Sequence, residues 1–362
     1  MSLLWLAGAP PARADWLAGG IPPSNSSPQP IWRLADTNGA VINTFAQLTL
    51  YHQEWIAMAR GPDGNVYVSK NGGNTTGNNI QIFALSGVQV GSIVVGPFNN
   101  GELYAPGSLT FGPDGNIYLA DTYWSSISRY NRTNGAFMGT FVSGVSANNL
   151  AFGPDGNLYV AGENLGVARY NGTNGASMGT FVPLGTNGVP DAANLLFGPD
   201  GNLYVCSVIS NAVVRFDGHT GRFMDYFVTP GSGGLTSPRR PAFGPDGNFY
   251  VGAGGGVIFR YDGRTGAFLN AFGSRAYWGL VYLPDTTPDP SPRLSLRLAA
   301  ANTVQISWPS AAGTNWSLCS QQSLGATNAW TVVTNPPALA GANYVVTETC
   351  NPAACFYRLE KQ

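Results

Sequence analysis

Gly61-Pro62-Asp63-Gly64-Asn65-Val66-Tyr67-Val68-Ser69 is the first of five nearly identical runs in this chain. The others begin at Gly112, Gly153, Gly198 and Gly244, each reading GPDGN, one of Val/Ile/Leu/Phe, Tyr, and Val or Leu. Successive starts lie 51, 41, 45 and 46 residues apart. Self-similarity at a period of roughly 40–50 residues marks a propeller or solenoid array. Each GPDG has the chemistry of a tight turn. Proline presets φ, aspartate suits the next position, and glycine takes the left-handed conformation that strains any residue with a Cβ. An apolar stretch such as Leu150-Ala151-Phe152 precedes the turn, and a strand-like run such as Leu158-Tyr159-Val160 follows it. That makes one β-hairpin.

About fifteen residues further on comes a second unit, Ser128-Arg129-Tyr130-Asn131-Arg132-Thr133-Asn134-Gly135-Ala136-Phe137, repeated from Ala168, Val214 and Phe259. Its turn residues sit between two strand-like runs, so it is a second hairpin, and two hairpins make one four-stranded propeller blade. The second hairpin also stands ahead of the first GPDG, at Ile31-Trp32-Arg33, and in weakened form at Gln81-Ile82-Phe83. A decayed first hairpin ends the array at Trp278-Gly279-Leu280-Val281-Tyr282. The orphans at the two ends predict one shared closing blade, with outer strands from 31–46 and inner strands from about 276–284. Sharing a blade removes two exposed sheet edges. The expected fold is all-β: a six-bladed β-propeller over 31–285, then a small Ig/fibronectin-like β-sandwich.

The ends of the chain read differently. Leu3-Leu4-Trp5-Leu6-Ala7-Gly8-Ala9 followed by Ala12-Arg13-Ala14 resembles a secretory signal peptide lacking its basic n-region, so 1–14 is read as a truncated signal and 15–30 as a linker. An ordinary terminus is the alternative. The implied location is secreted, extracellular or periplasmic in a bacterium. A Pro-rich linker at 286–292 precedes 293–362, where alternation such as Val304, Ile306, Trp308 gives six or seven short strands. Cys319, Cys350 and Cys355 fall in this small module. Cys350 with Cys355 closes the Asn-Pro-Ala-Ala turn as a disulfide, and Cys319 with either is the alternative. Cys206, in a propeller strand, is read as a buried thiol. Only 10% of residues are charged and net charge is −1, so there is no footprint for nucleic acid or an anionic membrane. No run is long enough to span a membrane.

FGPDGNLYVA followed by a VxRYDGxTG hairpin resembles the NHL-type repeats of six-bladed propellers. That superfamily includes gluconolactonase/regucalcin-like and virginiamycin B lyase-like proteins, and the resemblance covers 31–285. It implies either a lactonase or lyase with a channel metal held by Glu, Asp and Asn, or a non-catalytic binding propeller. Fold alone does not choose between them. The last module is similar to C-terminal β-sandwiches of secreted bacterial proteins.

Function is expected on the face opposite the GPDG and DGxTG turns, where loops vary over a rigid scaffold. Its channel-mouth positions include Asn148, Asn149, Asn194, Arg239, Arg240 and Trp278, with Tyr277 beside them and Trp124 on a strand 2–3 loop. These are the candidate ligand-binding residues. These asparagines and two arginines suit an anionic or hydroxyl-rich ligand, or the arginines pair with Glu54 or Asp191 across the pore. If the chain is an enzyme, His52 and Glu54 are the catalytic candidates, with Glu54, Glu163, Asn149 and Asn194 holding a divalent Ca or Mg ion. Otherwise no cofactor is expected. His219 lies in a turn on the far face. The repeated arginines (Arg33, Arg129, Arg169, Arg215, Arg260) read as structural partners of bottom-face carboxylates, and the GPDG aspartates are turn residues, without the alternating ligands of a calcium loop. The favoured function is a secreted non-enzymatic propeller binding a protein, glycan or cell-surface component. A metal-dependent lactonase or lyase is the alternative, and a subunit of an extracellular assembly the third reading.

Overall fold

The computed structural model describes residues 15–20, 29–35, 41–48, 57–70, 79–94, 106–162, 165–185, 189–244, 246–253, 256–273, 277–283, 294–300, 303–309, 316–321, 331–341, 343–349 and 356–361. Two compact units emerge, Ala14–Pro284 and one that contains Asp285–Gln362. No helix among the described residues is long and apolar enough to cross a membrane.

The first unit opens with β1 (Asp15–Gly20), β2 (Gln29–Ala35) and β3 (Val41–Leu48). Next come β4 (Met58–Arg60), β5 (Val66–Lys70), β6 (Asn79–Phe83) and β7 (Gln89–Val94). They are followed by β8 (Pro106–Phe111), β9 (Ile117–Asp121), β10 (Ser126–Tyr130) and β11 (Phe137–Ser143). Then β12 (Asn149–Phe152), β13 (Leu158–Gly162), β14 (Gly166–Tyr170) and β15 (Ser177–Val182) repeat the pattern. So do β16 (Asn194–Phe197), β17 (Leu203–Ser207), β18 (Ala212–Phe216) and β19 (Phe223–Val228). The unit ends with β20 (Arg239–Phe243), β21 (Phe249–Gly252), β22 (Ile258–Tyr261), β23 (Phe268–Phe272) and β24 (Tyr277–Leu283). Each group of four, β4–β7 through β20–β23, is one antiparallel meander sheet. The innermost strands touch in the cycle β4, β8, β12, β16, β20, β24 and back to β4. This is a β-propeller.

The remaining sheet joins the ends in the order β24-β1-β2-β3. The expectation of a linker over 15–30 is therefore corrected at 15–20. Those residues are a strand, paired with β24 on one side and β2 on the other. The two inner strands do not both come from 276–284 either; β24 supplies one and β1 the other. The physical reason is core. Trp16, Leu17 and Ala18 are all fully buried, so a short apolar triplet fills the second-strand position that a decayed first hairpin left open.

The repeat's letters become packing between neighbouring sheets. Each motif tyrosine lies at 0–1% exposure. It meets, edge-on, the phenylalanine that precedes the next GPDG: Tyr67 with Phe111 at 4.9 Å, Tyr118 with Phe152 at 4.8 Å, Tyr159 with Phe197 at 4.7 Å and Tyr204 with Phe243 at 5.2 Å. Such pairs add about 0.5–1.5 kcal/mol beyond area burial. Tyr250 meets Trp16 of β1 instead, at 4.4 Å. The first glycine of the motif is required by this ring: a Cβ on Gly153 would stand 2.6 Å from Tyr159 and 2.8 Å from the Asp155 carboxylate. Every pairing of a third with a fourth strand carries a register shift. Bulges of this kind twist an outer edge away from edge-to-edge pairing.

The second unit holds β25 (Ser295–Ala300), β26 (Thr303–Pro309), β27 (Trp316–Gln321), β28 (Thr331–Val332), β29 (Ala338–Ala340), β30 (Asn343–Thr349) and β31 (Phe356–Lys361). They form two antiparallel sheets, β25-β26-β30-β29 and β28-β27-β31. One cluster draws on both: Val304, Ile306, Trp308 and Val346 from the first, Leu318 and Tyr357 from the second. Cys319 is buried on β27. Cys350 and Cys355 lie outside the described residues.

Candidate functional site

The two ends of the propeller are chemically unlike. At the end carrying the GPDG turns, every copy builds one hydrogen-bonded box. In the third copy Asp155 Oδ1 accepts the Asn157 backbone N–H at 3.0 Å. Its Oδ2 accepts the Asn157 amide at 2.9 Å and the Tyr159 hydroxyl at 3.0 Å. Arg169, opposite Tyr159 in register, pairs with the same carboxylate and lies over the Tyr159 ring at 5.6 Å. Arg129 with Asp114 and Arg260 with Asp246 repeat this arrangement. In the first sheet Ile82 occupies the arginine position, and Arg132 from the neighbouring sheet's turn reaches Asp63 at 3.3 Å. Arg215 turns mainly to Asp225, its cross-strand neighbour, leaving Asp200 at 3.9 Å. The expected structural role of these arginines is borne out at Arg129, Arg169, Arg215 and Arg260.

Partial burial alone would raise the aspartate pKa values, but the hydrogen bonds and nearby guanidinium charge outweigh it and hold Asp63, Asp114, Asp155, Asp200 and Asp246 below the ordinary value. Burial first, then the adjacent carboxylate, pushes the Tyr118 hydroxyl up to about 12. The box is closed chemistry, each group facing another of the protein.

At the opposite end, five described positions stand four residues before a GPDG glycine; Ala57 is apolar, and the other four are Ser108, Asn149, Asn194 and Arg240. They link one innermost strand to the next. Ser108 Oγ accepts the Leu150 N–H at 3.2 Å and the Asn149 amide at 3.2 Å. Asn149 Oδ1 accepts the Leu195 N–H at 3.0 Å, and Asn194 Oδ1 accepts the Arg240 N–H at 3.2 Å. Asn148, half-buried, donates its backbone N–H to the Ala161 carbonyl at 2.9 Å. The two amide oxygens considered for a metal thus each receive a backbone donor from the following sheet.

Arg240 departs from the pattern. Its φ of 53° is left-handed, and the register of β20 against β21 shifts between Arg239 and Ala242. Its guanidinium donates through Nη2 to the Gly107 carbonyl at 3.3 Å. Gly107 belongs to β8, three places around the cycle from β20, so the side chain reaches across the channel. Loss of hydration, then the charge of Arg239, lowers the Arg240 pKa to about 10, so it remains cationic at neutral pH. Among the described residues no carboxylate lies within ion-pair distance of it.

The turns joining second and third strands lie at this same end of the sheets. Asp121, buried, accepts the backbone N–H groups of Tyr123 and Trp124 at 2.9 and 3.1 Å. Asp191 does the same job from another loop, accepting from Val208 and Ile209 at 2.9 and 3.0 Å and from the Ser207 hydroxyl at 2.6 Å. Both turns end in a left-handed residue, Ser125 and Asn211. What they present is apolar: Tyr123 is 60% exposed, Trp124 52% and Ile209 68%. The Tyr123 and Trp124 rings pack edge-on at 5.1 Å.

The sequence-based candidates therefore divide. Asn149, Asn194 and Arg240 come together around the channel, Arg239 adjoins them, and Trp124 stands on the same end. His52, Glu54 and Glu163 lie outside the described residues, as do the side chains of Tyr277 and Trp278 on β24. Among the described residues no group of three His, Cys, Asp or Glu side chains converges as a metal site. His219 is exposed in the far-end turn. Cys206 is a buried free thiol whose pKa burial raises. Sequence reading missed the Gly107 carbonyl, because a backbone acceptor carries no residue signature, and Ile209, a single apolar residue in a turn.

No family profile matches the sequence, and no curated protein sequence matches it. Solved structures share the fold. A chain of a nidogen/laminin complex superposes at TM-score 0.55 with 15% identity, covering 75% of this chain and 98% of that one. A protein of unknown function from Bacteroides caccae gives 0.55 and 14%, covering 75% and 99%. The virginiamycin B lyase from Staphylococcus aureus overlies more loosely, at 0.47 and 14% identity, covering 81% and 95%.

Proposed function

We propose that this chain is a secreted, non-enzymatic, six-bladed propeller whose channel-mouth face binds a protein partner, with 293–362 as an appended Ig-like β-sandwich. The observation that carries the reading is the Tyr123–Trp124 pair. Two large aromatic side chains stand more than half exposed. They sit on a turn whose backbone is pinned by the buried Asp121 carboxylate. Exposed Trp and Tyr on a rigid support lose little entropy on contact, which is the usual make-up of an interface hot spot. Ile209, on the equivalent turn two sheets away, extends the apolar edge. The low charge of the chain favours contact through such groups over electrostatic steering. A structure of like fold comes from a nidogen/laminin complex, which supports a protein as the partner class.

The test uses three baits: the full chain, Tyr123→Ser with Trp124→Ser, and Arg264→Glu in a far-end turn. A protein captured from the extracellular fraction is purified and titrated against each. The expected result is saturable binding by the full chain and Arg264→Glu, weakened at least tenfold in the aromatic double variant. Equal binding by all three overturns the reading, and so does a glycan array on which only sugars bind. Metal analysis with a lactone-hydrolysis screen covers the enzyme alternative. The backbone donors that engage Asn149 Oδ1 and Asn194 Oδ1 support the binding role; a bound divalent ion with turnover would replace that role by catalysis.

A further inference from the structure

We infer that the channel beside Arg240 binds a small oxyanion, a carboxylate or phosphate group, as counter-ion to the Arg240 guanidinium. This goes beyond the proposed partner binding and does not depend on it. Three independent features point the same way. The first is where the repeat breaks. Where the two preceding copies read Asn-Leu-Ala-Phe and Asn-Leu-Leu-Phe, β20 reads Arg-Pro-Ala-Phe, placing a guanidinium where they carry a neutral amide.

The second is backbone conformation. A non-glycine residue at φ 53° inside a strand is strained and persists only where the surroundings enforce it. Here the register shift between Arg239 and Ala242 and the Asn194 hydrogen bond to the Arg240 N–H hold the residue in that conformation. The third is unbalanced charge. Every other repeat arginine with a described partner, from Arg129 to Arg260, meets an aspartate. Arg240 has lost enough hydration to lower its pKa, yet among the described residues its side-chain hydrogen bond goes to a neutral carbonyl.

A guanidinium carries five N–H donors in a planar fork that matches a carboxylate or phosphate edge. Holding the Gly107 carbonyl through Nη2 leaves the rest of that fork for an anion. Because one arginine side chain bridges the channel, the lumen admits a small anion or the anionic tip of a larger ligand. A divalent cation does not fit beside that guanidinium group.

Isothermal titration of the full chain with inorganic phosphate, and separately with acetate, at ionic strength fixed by chloride, tests the site. The expected result is saturable binding of one or both anions, weakened at least tenfold in Arg240→Gln and unchanged in Arg260→Gln, which removes a bottom-face arginine of similar structural weight. Tighter phosphate binding identifies a phosphorylated ligand, and tighter acetate binding a carboxylate ligand. Should Arg240→Gln fail to fold, Arg240→Lys keeps the charge without the fork, and weaker binding by that variant supports the same assignment. Absence of saturable binding in the wild-type chain overturns the proposal and leaves Arg240 as a strut to Gly107. Equal binding by wild type and the Arg240 variants also overturns it. Because the aromatic double variant leaves this site intact, failure here and failure of the partner-binding reading are separable.

Discussion

The GPDG end and the channel-mouth end of the propeller use the same residue types for opposite purposes. At the GPDG end, Asp155, Asn157, Tyr159 and Arg169 satisfy one another, and the set recurs with small changes around the ring. At the channel mouth, Ser108, Asn149 and Asn194 still tie neighbouring strands together, but Arg240 reaches a bare carbonyl and Tyr123, Trp124 and Ile209 face water. Repetition in a propeller marks what the scaffold needs; divergence on a rigid support marks where specificity is built. The Asp63 box shows how strong the first requirement is. Its arginine position holds Ile82, and Arg132 from the next sheet restores the ion pair.

The contrast can be broken hardest at the closure. Trp16→Ala removes the ring that stands against Tyr250 and empties a fully buried site, and a loss of about 3–5 kcal/mol in urea unfolding is expected. A loss below about 1 kcal/mol would mean that β1 does not close the ring. Asp155→Asn comes next. It leaves the turn its shape but removes the charge that Arg169 and the Tyr159 hydroxyl address, for an expected loss of about 1–2 kcal/mol.

The same box sharpens the comparison through pH. Five aspartates have folded pKa values below the ordinary carboxylate value. A depressed pKa contributes stability that is present above the unfolded value and is lost as pH falls through the folded one. Urea midpoints should therefore fall as pH drops below about 4, and Asp155→Asn should show a shallower fall. The tyrosines act at the other extreme. Tyr118 and Tyr204 are raised to about 12, so their contribution is intact below about 10, the unfolded value, and is lost as pH climbs toward 12. A flat profile across both windows would remove the box from the stability of the fold.

The degree to which this was legible in the sequence follows the same division. The turn chemistry of GPDG, the aromatic strand after it and the arginine opposite Tyr159 are local patterns, and each strand pair they imply is present. The closing strand was not legible. Trp16-Leu17-Ala18 offers three core residues followed by two glycines, too little to separate a strand from a linker until β24 and β2 are in place beside it. Nor was the left-handed Arg240, because that conformation is imposed by the register shift and the Asn194 contact, which involve residues far apart in the chain. Asn149 and Asn194 were legible as channel residues, whereas their backbone partners on the next sheet were not.

The smallest expected effect gives the most direct test. Urea unfolding of Tyr123→Ser with Trp124→Ser, measured beside Asp155→Asn, asks whether the two ends of the molecule differ as described. The expected result is a change within about 0.5 kcal/mol for the aromatic variant, the range of surface substitutions away from structural features, against a clear loss for the aspartate variant. Equal losses would contradict the central claim, since Tyr123 and Trp124 would then belong to the scaffold and the channel-mouth face would lose its strongest candidate for recognition.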